Sequence, residues 1–439
     1  MNKNLLIVGI AAAFSLTACK PHMDAGAPSA GVLDFSRYVA VGNSLTSGFA
    51  DGTLYRSGQL SSYPSMLAKQ FAIVGGGSFT QPLLHSEGGY PNPKRILGYS
   101  ADSHGIVGLG PVLDKTNDTA GDGISIAAQG PYNNMGVPGI RAIDYLLPGY
   151  PSLNPYAKRF FSNLAATPVA EIGRIQATFF TAWIGNNDVL AYATSGGSGK
   201  SSGGSFLDQN SISSTSLFAA GVDSVVTKLT ANGAKGALMN IPDVTAIPYF
   251  TTVPYNGLVL TRQGQVDSLN FAYKAAGITF TLGQNGFIIA DPNAPAKLRM
   301  IKAGEYILLT IPQDSLKYSG WGSLKPIPGQ YVLDATEVAA VKAATTTFNG
   351  IIQSEAAAHG LAYVDMNSFL KTLSSGILYN GVTFTTTFVS GNSFSLDGVH
   401  LTPRGYALAA NEIIRTINAY YGSNVPQTDI NSYDGIKFP

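Results

Sequence analysis

Cysteine is almost missing from this chain. There is one, Cys19, in 439 residues, so no intramolecular disulfide is available and the folded part must be held by its core. Charge is also scarce: Asp, Glu, Lys and Arg together make up 12% of the chain and sum to +1. With no basic run, a nucleic-acid partner is excluded. A long apolar run is lacking too, since Leu5–Ala18 is too short to cross a bilayer as a stable helix. What is plentiful is glycine, with 50 copies, and hydrophobic residues at 45%, the composition of a loop-rich globular chain rather than a helical bundle. The length allows two or three domains and a large core.

The apolar run follows a basic start, Met1-Asn2-Lys3-Asn4, and ends in small residues, as a secretory signal does. Leu16-Thr17-Ala18-Cys19 resembles a bacterial lipobox. The expectation is a signal peptide over residues 1–18, a lipidated Cys19 and a tether over 19–34, rich in Pro, Gly and Ala. That describes an exported bacterial lipoprotein, held by its lipid on the outer membrane.

The stretch on which the rest turns is Tyr38–Gly52, YVAVGNSLTSGFADG. Apolar residues run into Gly42 and Ser44 follows, the pattern of a buried strand that stops with a hydroxyl at its carboxyl end, where open α/β sheets do their chemistry. Far downstream, Asp397-Gly398-Val399-His400 sets a carboxylate three residues before an imidazole. A neutral imidazole can take a serine proton, and a carboxylate on its other nitrogen fixes the tautomer. Between them lie Asn134–Gly139 and Trp183–Asp188, which offer a bare backbone N–H and a side-chain amide to an oxyanion.

This order of blocks resembles the SGNH hydrolases, the GDSL esterase and lipase family. GNSLT around Ser44 is similar to the family's GDSL block. Gly139 falls at its second-block glycine, Gly185-Asn186-Asn187-Asp188 at its GxND block and Asp397–His400 at its DxxH block. Asn43 stands where the family usually has aspartate. The resemblance implies a serine ester hydrolase working through an acyl-enzyme, with Ser44, Asp397 and His400 as triad and Ser44, Gly139 and Asn187 as oxyanion hole. It also implies an ester substrate, whether acetylated glycan, lipid or small acyl ester. Asn43 and the insertions motivate one alternative, a catalytically silent surface lipoprotein that binds glycan or lipid on the same scaffold. No metal or other cofactor is expected, because the other histidines show no ligand spacing and a triad supplies its own base. A G-x-S-x-G lipase is excluded by Thr46.

Along the chain, strands are expected at Tyr38–Gly42, Asn134–Gly139, Gln176–Ile184, Ala237–Asp243 and Leu361–Met366. Helices are expected at Ser62–Phe71, from Ile140 to Leu147, at Leu217–Leu229, over Asp334–His359 and after Pro403. This alternation predicts a flavodoxin-like three-layer α/β/α sandwich around a mainly parallel five-stranded sheet. It forms a single domain over residues 35–423, with insertions at about 75–131 and 254–331 and a tail from 424. Asp114–Gly123 reads as a solvated turn rather than a calcium loop, and Ser195–Ser201 as a flexible linker rather than a phosphate loop. Gly277–Thr281 and Tyr306–Thr310 read as β-rich pieces of a cap, and Ile377–Phe388 as a hairpin. His359 is expected to serve its helix end.

Overall fold

In the computed structural model, residues 26–116 and 120–439 are described. The expected signal segment and Cys19 lie outside the described residues.

Apolar runs buried on both faces make the central strands: β1 (Tyr38–Gly42) and β3 (Phe179–Trp183) have no exposed position, as strands covered on both sides must. With β2 (Asn134–Gly136), β4 (Lys235–Met239) and β5 (Ala362–Val364) they form one sheet in the order β5-β4-β3-β1-β2. Every pairing is parallel. This is the flavodoxin-like order, and it reverses between β1 and β3, the place where such sheets bind ligands. Gly42 is in register with Gly136 on one side and Trp183 on the other, so three strand ends finish level there.

The sheet is covered by α1 (Tyr63–Ile73) and α6 (Pro403–Tyr421), which pack together, and by α2 (Asn187–Thr194), α3 (Thr215–Thr230) and α4 (Ala335–Ala358), which form another packed group. A further helix, α5 (Met366–Ser375), follows β5. Helix starts obey local chemistry. Asp334 and Glu337 close a capping box on α4, and Thr402 caps α6 with Pro403 at its first position.

Several expected elements differ. From Ile140 to Leu147 there is one 3-10 turn, Ile143–Leu146, because the Asp144 carboxylate takes the Arg141 backbone N–H (2.9 Å) and its guanidinium (2.7 Å) and closes a turn instead of a helix. Gly277–Thr281 is not a strand: Asn270 receives the Phe280 N–H at 2.7 Å, so a side chain holds that backbone in place of a ladder. The insertion around it carries a helix, Gln263–Tyr273, and antiparallel pairs only two or three residues long. The expected hairpin is a short one, Ile377–Tyr379 with Val382–Phe384. The first insertion projects a hairpin, Arg95–Ala101 with Val107–Leu113.

Of the stretch read as a solvated turn, residues 117–119 lie outside the described residues and Lys115, Thr116, Ala120 and Gly123 are exposed, but Asp122 is buried and receives the His85 N–H at 2.6 Å. The other segments read as flexible or loose are held in place. The 195–214 segment is tied by Lys200 N–H to the Ser211 hydroxyl (2.8 Å) and by Gly204 N–H to the Ile212 carbonyl (2.8 Å). The described end of the expected tether pairs Ser29 with Asn424 and buries Leu33. The tail buries Val425 and Ile430 in the main core.

Candidate active site

The strand β1 ends at Gly42, where a Cβ would fall 2.1 Å from the Thr46 hydroxyl and 2.5 Å from the Trp183 carbonyl. Only glycine lets the chain turn that tightly between its neighbours. Asn43 then caps a single helical turn, Ser44–Ser47, accepting the Leu45 N–H at 3.0 Å. Its amide donates to Asn186 at 3.0 Å, so the residue in the aspartate position ties the β1 loop to the β3 loop across the point where the sheet order reverses.

From the other end of the chain, the loop before α6 brings His400 over this turn. His400 Nε2 lies 2.8 Å from Ser44 Oγ, across 356 positions of sequence. His400 Nδ1 lies 2.8 Å from Asp397 Oδ2. Asp397 Oδ1 accepts the Val399 and His400 N–H groups at 2.9 and 2.8 Å. Burial works against ionising Asp397, yet the His400 imidazole and these N–H donors outweigh it and hold the carboxyl well below the usual carboxylate range. The imidazole packs on Phe49 at 4.5 Å between ring centres.

Gly139 sits on the loop after β2 with φ +83, a left-handed conformation that suits glycine. Among the described residues neither its N–H nor that of Ser44 has a hydrogen-bond partner. Asn187, at the start of α2, donates one amide hydrogen to the Ile140 carbonyl at 2.9 Å, and among the described residues the other has no partner. All five residues singled out in the fold, Ser44, Gly139, Asn187, Asp397 and His400, therefore stand at the carboxyl edge of the sheet.

That geometry agrees with the model of the GDSL-like lipase/acylhydrolase family, which matches residues 38–413. The chain belongs to this family. It is accordingly an ester-hydrolysing enzyme, and its fold is that of the SGNH hydrolases. No curated protein matches the chain. Among solved structures, this acylhydrolase is similar to an extracellular lipase from Streptomyces rimosus, at 13% identity over 86% of this chain and 98% of that one, TM-score 0.34. A mutant acetyl-xylooligosaccharide esterase from Geobacillus Stearmophilus is 11% identical over 88% and 96%, TM-score 0.35. A phospholipase A1 from Streptomyces albidoflavus is 13% identical over 86% and 98%, TM-score 0.31. Likenesses this distant say nothing of substrate, and membership rests on the family model.

Around the acylhydrolase site stand residues that motif reading passed over. Asp51 receives the Leu396 N–H (3.0 Å) and the Tyr55 hydroxyl (2.7 Å), while Gly52 N–H donates to Asp397 Oδ2 at 2.9 Å. Burial raises the Asp51 carboxyl above its ordinary value. Buried Arg141 forks onto Asp144 and onto the Ser205, Phe206 and Asp208 carbonyls, fixing the loop that carries Gly139. Asp188, fully buried, accepts the Ala142 N–H at 2.6 Å. Its Oδ1 faces the Ser213 hydroxyl without a well-formed bond, and burial pushes its carboxyl up to about 7. The signal for Asp188 was its place in the Gly185–Asp188 block; nothing local marked Arg141. His359 sits just before β5, at the opposite edge of the sheet, where folding brings it within 4.8 Å of Asp223 and Glu355 ligand atoms, a grouping invisible in the spacing.

Proposed function

We propose that this acylhydrolase cleaves carboxylic esters through a covalent acyl-enzyme on Ser44. The single observation that carries the reading is the 2.8 Å contact between Ser44 Oγ and His400 Nε2. His400 takes the hydroxyl proton as Ser44 Oγ bonds to the ester carbonyl carbon, and then gives that proton to the departing alkoxide. Water repeats the sequence on the acyl-enzyme, releasing the acid and restoring Ser44. Asp397 holds the imidazole in the tautomer with Nδ1–H and stabilises its cation. The Ser44 and Gly139 N–H groups and the second Asn187 amide hydrogen receive the oxyanion. The contact also favours turnover over a silent binding role, since a hydroxyl bonded to a carboxylate-oriented imidazole has no need to be there for ligand binding.

The enzyme's substrate is an ester of an acetylated glycan, a lipid or a small acyl compound. The proposed setting is the cell envelope: Leu5–Ala18 exports the chain, and an acylated Cys19 fixes it to the outer membrane. What supports this is the basic start, the apolar run and the sole cysteine at its end.

Purified wild-type protein is expected to hydrolyse p-nitrophenyl butyrate and to bind a fluorophosphonate at Ser44, and Ser44→Ala to lose both. A Ser44→Ala enzyme with undiminished turnover would remove Ser44 from the reaction. For the anchor, Cys19→Ser is expected to move the protein out of the membrane fraction, and an unchanged distribution overturns lipidation there.

A further inference from the structure

Beside Ser44, lined by it and not by Asp397, a cavity of about 70 Å3 opens between the carboxyl edge of the sheet, α5 and α6. Ser44, Asn187 and His400 line it together with Trp183, Leu373 and Ala409, and its surface is almost all carbon. A second, wider cleft of about 520 Å3 lies on the other flank of His400, where Asp397, Arg95, Tyr249 and Thr310 give it polar groups. The two spaces meet at the imidazole. The ester carbonyl carbon must sit against Ser44 Oγ, so its two substituents have to point one way each. The alcohol receives its proton from His400 Nε2 and has to leave, which suits the wider, more open cleft. The acyl group stays on Ser44 until water arrives, which suits the narrow cavity.

We infer that this cavity is the subsite for the acyl chain and that the enzyme prefers unbranched medium-chain acyl esters, hexanoyl to octanoyl, over acetyl esters. The inference rests on the ester-hydrolase reading and narrows it. The preference follows from size and surface. A site needs about 10–15 Å3 of such space per water, so the cavity has room for roughly five to seven waters, or about as many methylenes. Displacing water from an almost purely carbon surface costs few hydrogen bonds. Each methylene seated there raises kcat/KM roughly fourfold, the ratio set by about 0.8 kcal/mol per buried methylene. From acetyl to hexanoyl, four methylenes, the gain is roughly a few hundredfold. An acetyl group leaves the cavity empty, and a palmitoyl chain overruns it.

The experiment is a p-nitrophenyl ester series from acetate to palmitate on three full-length proteins. Wild type is expected to peak at hexanoate or octanoate. Ala409→Leu, which fills the cavity from the middle of α6, is expected to lower the octanoate-to-acetate ratio of kcat/KM at least tenfold. Leu373→Ala, which lengthens it, is expected to move the peak toward dodecanoate. General damage would lower every ester alike, whereas only a seated chain moves the optimum in opposite directions. A binding measurement stands beside turnover: octanoate added to Ser44→Ala in a Trp321→Phe background is expected to shift the emission of Trp183, the remaining tryptophan, in the cavity wall. That shift should vanish with Ala409→Leu. A wild-type rate that falls steadily from acetate, with ratios unmoved by either variant, overturns the subsite and leaves the hydrolase standing. If no ester is turned over, the hydrolase reading fails, and the emission shift alone decides whether the cavity takes an acyl chain.

Discussion

Asn43 shows how a departure from a motif is read at the scale of one residue. An aspartate there could still cap the Ser44 turn, but it could not donate to Asn186 as the amide does at 3.0 Å. Turning the Asn186 amide by half a revolution would offer its own N–H to the carboxylate instead. Asn43→Asp is therefore expected to keep kcat/KM within about tenfold of wild type, while Asn43→Ala, which loses both the cap and the link, should cost about 1 kcal/mol or more of stability in a urea titration. Asn187 is the opposite case, because its second amide hydrogen has no partner among the described residues. Asn187→Ala is expected to reduce kcat for p-nitrophenyl butyrate roughly a hundredfold, with folding intact by circular dichroism, since an oxyanion donor is worth about 3 kcal/mol. Unchanged kcat would take Asn187 out of the oxyanion hole.

Among the elements, α6 does the most to place the imidazole. It starts three residues after His400 under a Thr402 cap whose hydroxyl receives the Gly405 N–H at 3.0 Å and donates to the Asn392 carbonyl at 2.7 Å. One turn on, the Tyr406 hydroxyl donates to the Phe49 carbonyl at 2.7 Å, stitching the helix to the loop that follows the Ser44 turn. Thr402→Ala is expected to cost about 1 kcal/mol of stability by denaturant titration. It should also lower kcat for every ester by a similar factor, because it frees the His400 backbone without touching a substrate. The central strands, α4 and α6 were legible because their apolar spacing and caps are local. The 3-10 turn at Ile143–Leu146 was not, since Arg141 forms it with Asp144 and with carbonyls more than sixty residues away. The cap strands of two or three residues carry no alternation long enough to read.

For the whole molecule, Asp188 couples the site to pH. Its carboxyl is raised to about 7 by burial, so the folded state keeps a proton that the unfolded chain releases near the ordinary value of 3.8. The stability this gives is complete below the unfolded pKa and is lost as pH rises through the folded one. Asp188→Asn keeps an oxygen for Ala142 N–H and places an amide before Ser213, without the titration. Relative to wild type, the variant's melting temperature is expected to gain roughly a few degrees between pH 5 and pH 8. A constant difference across that range would show that Asp188 is not held protonated. The amino-acid order alone determined the layered α/β architecture and singled out the five residues that stand at the carboxyl edge of the sheet. Buried runs, glycine stops and helix caps act over a few positions, and the site motifs are themselves short. Only the tertiary structure decided that Ser44 and His400 touch, that Asp51 and Arg141 brace their loops, and that a carbon-lined cavity opens behind the hydroxyl. Those facts belong to pairs of residues from distant segments, and such distances exist only once the sheet has closed.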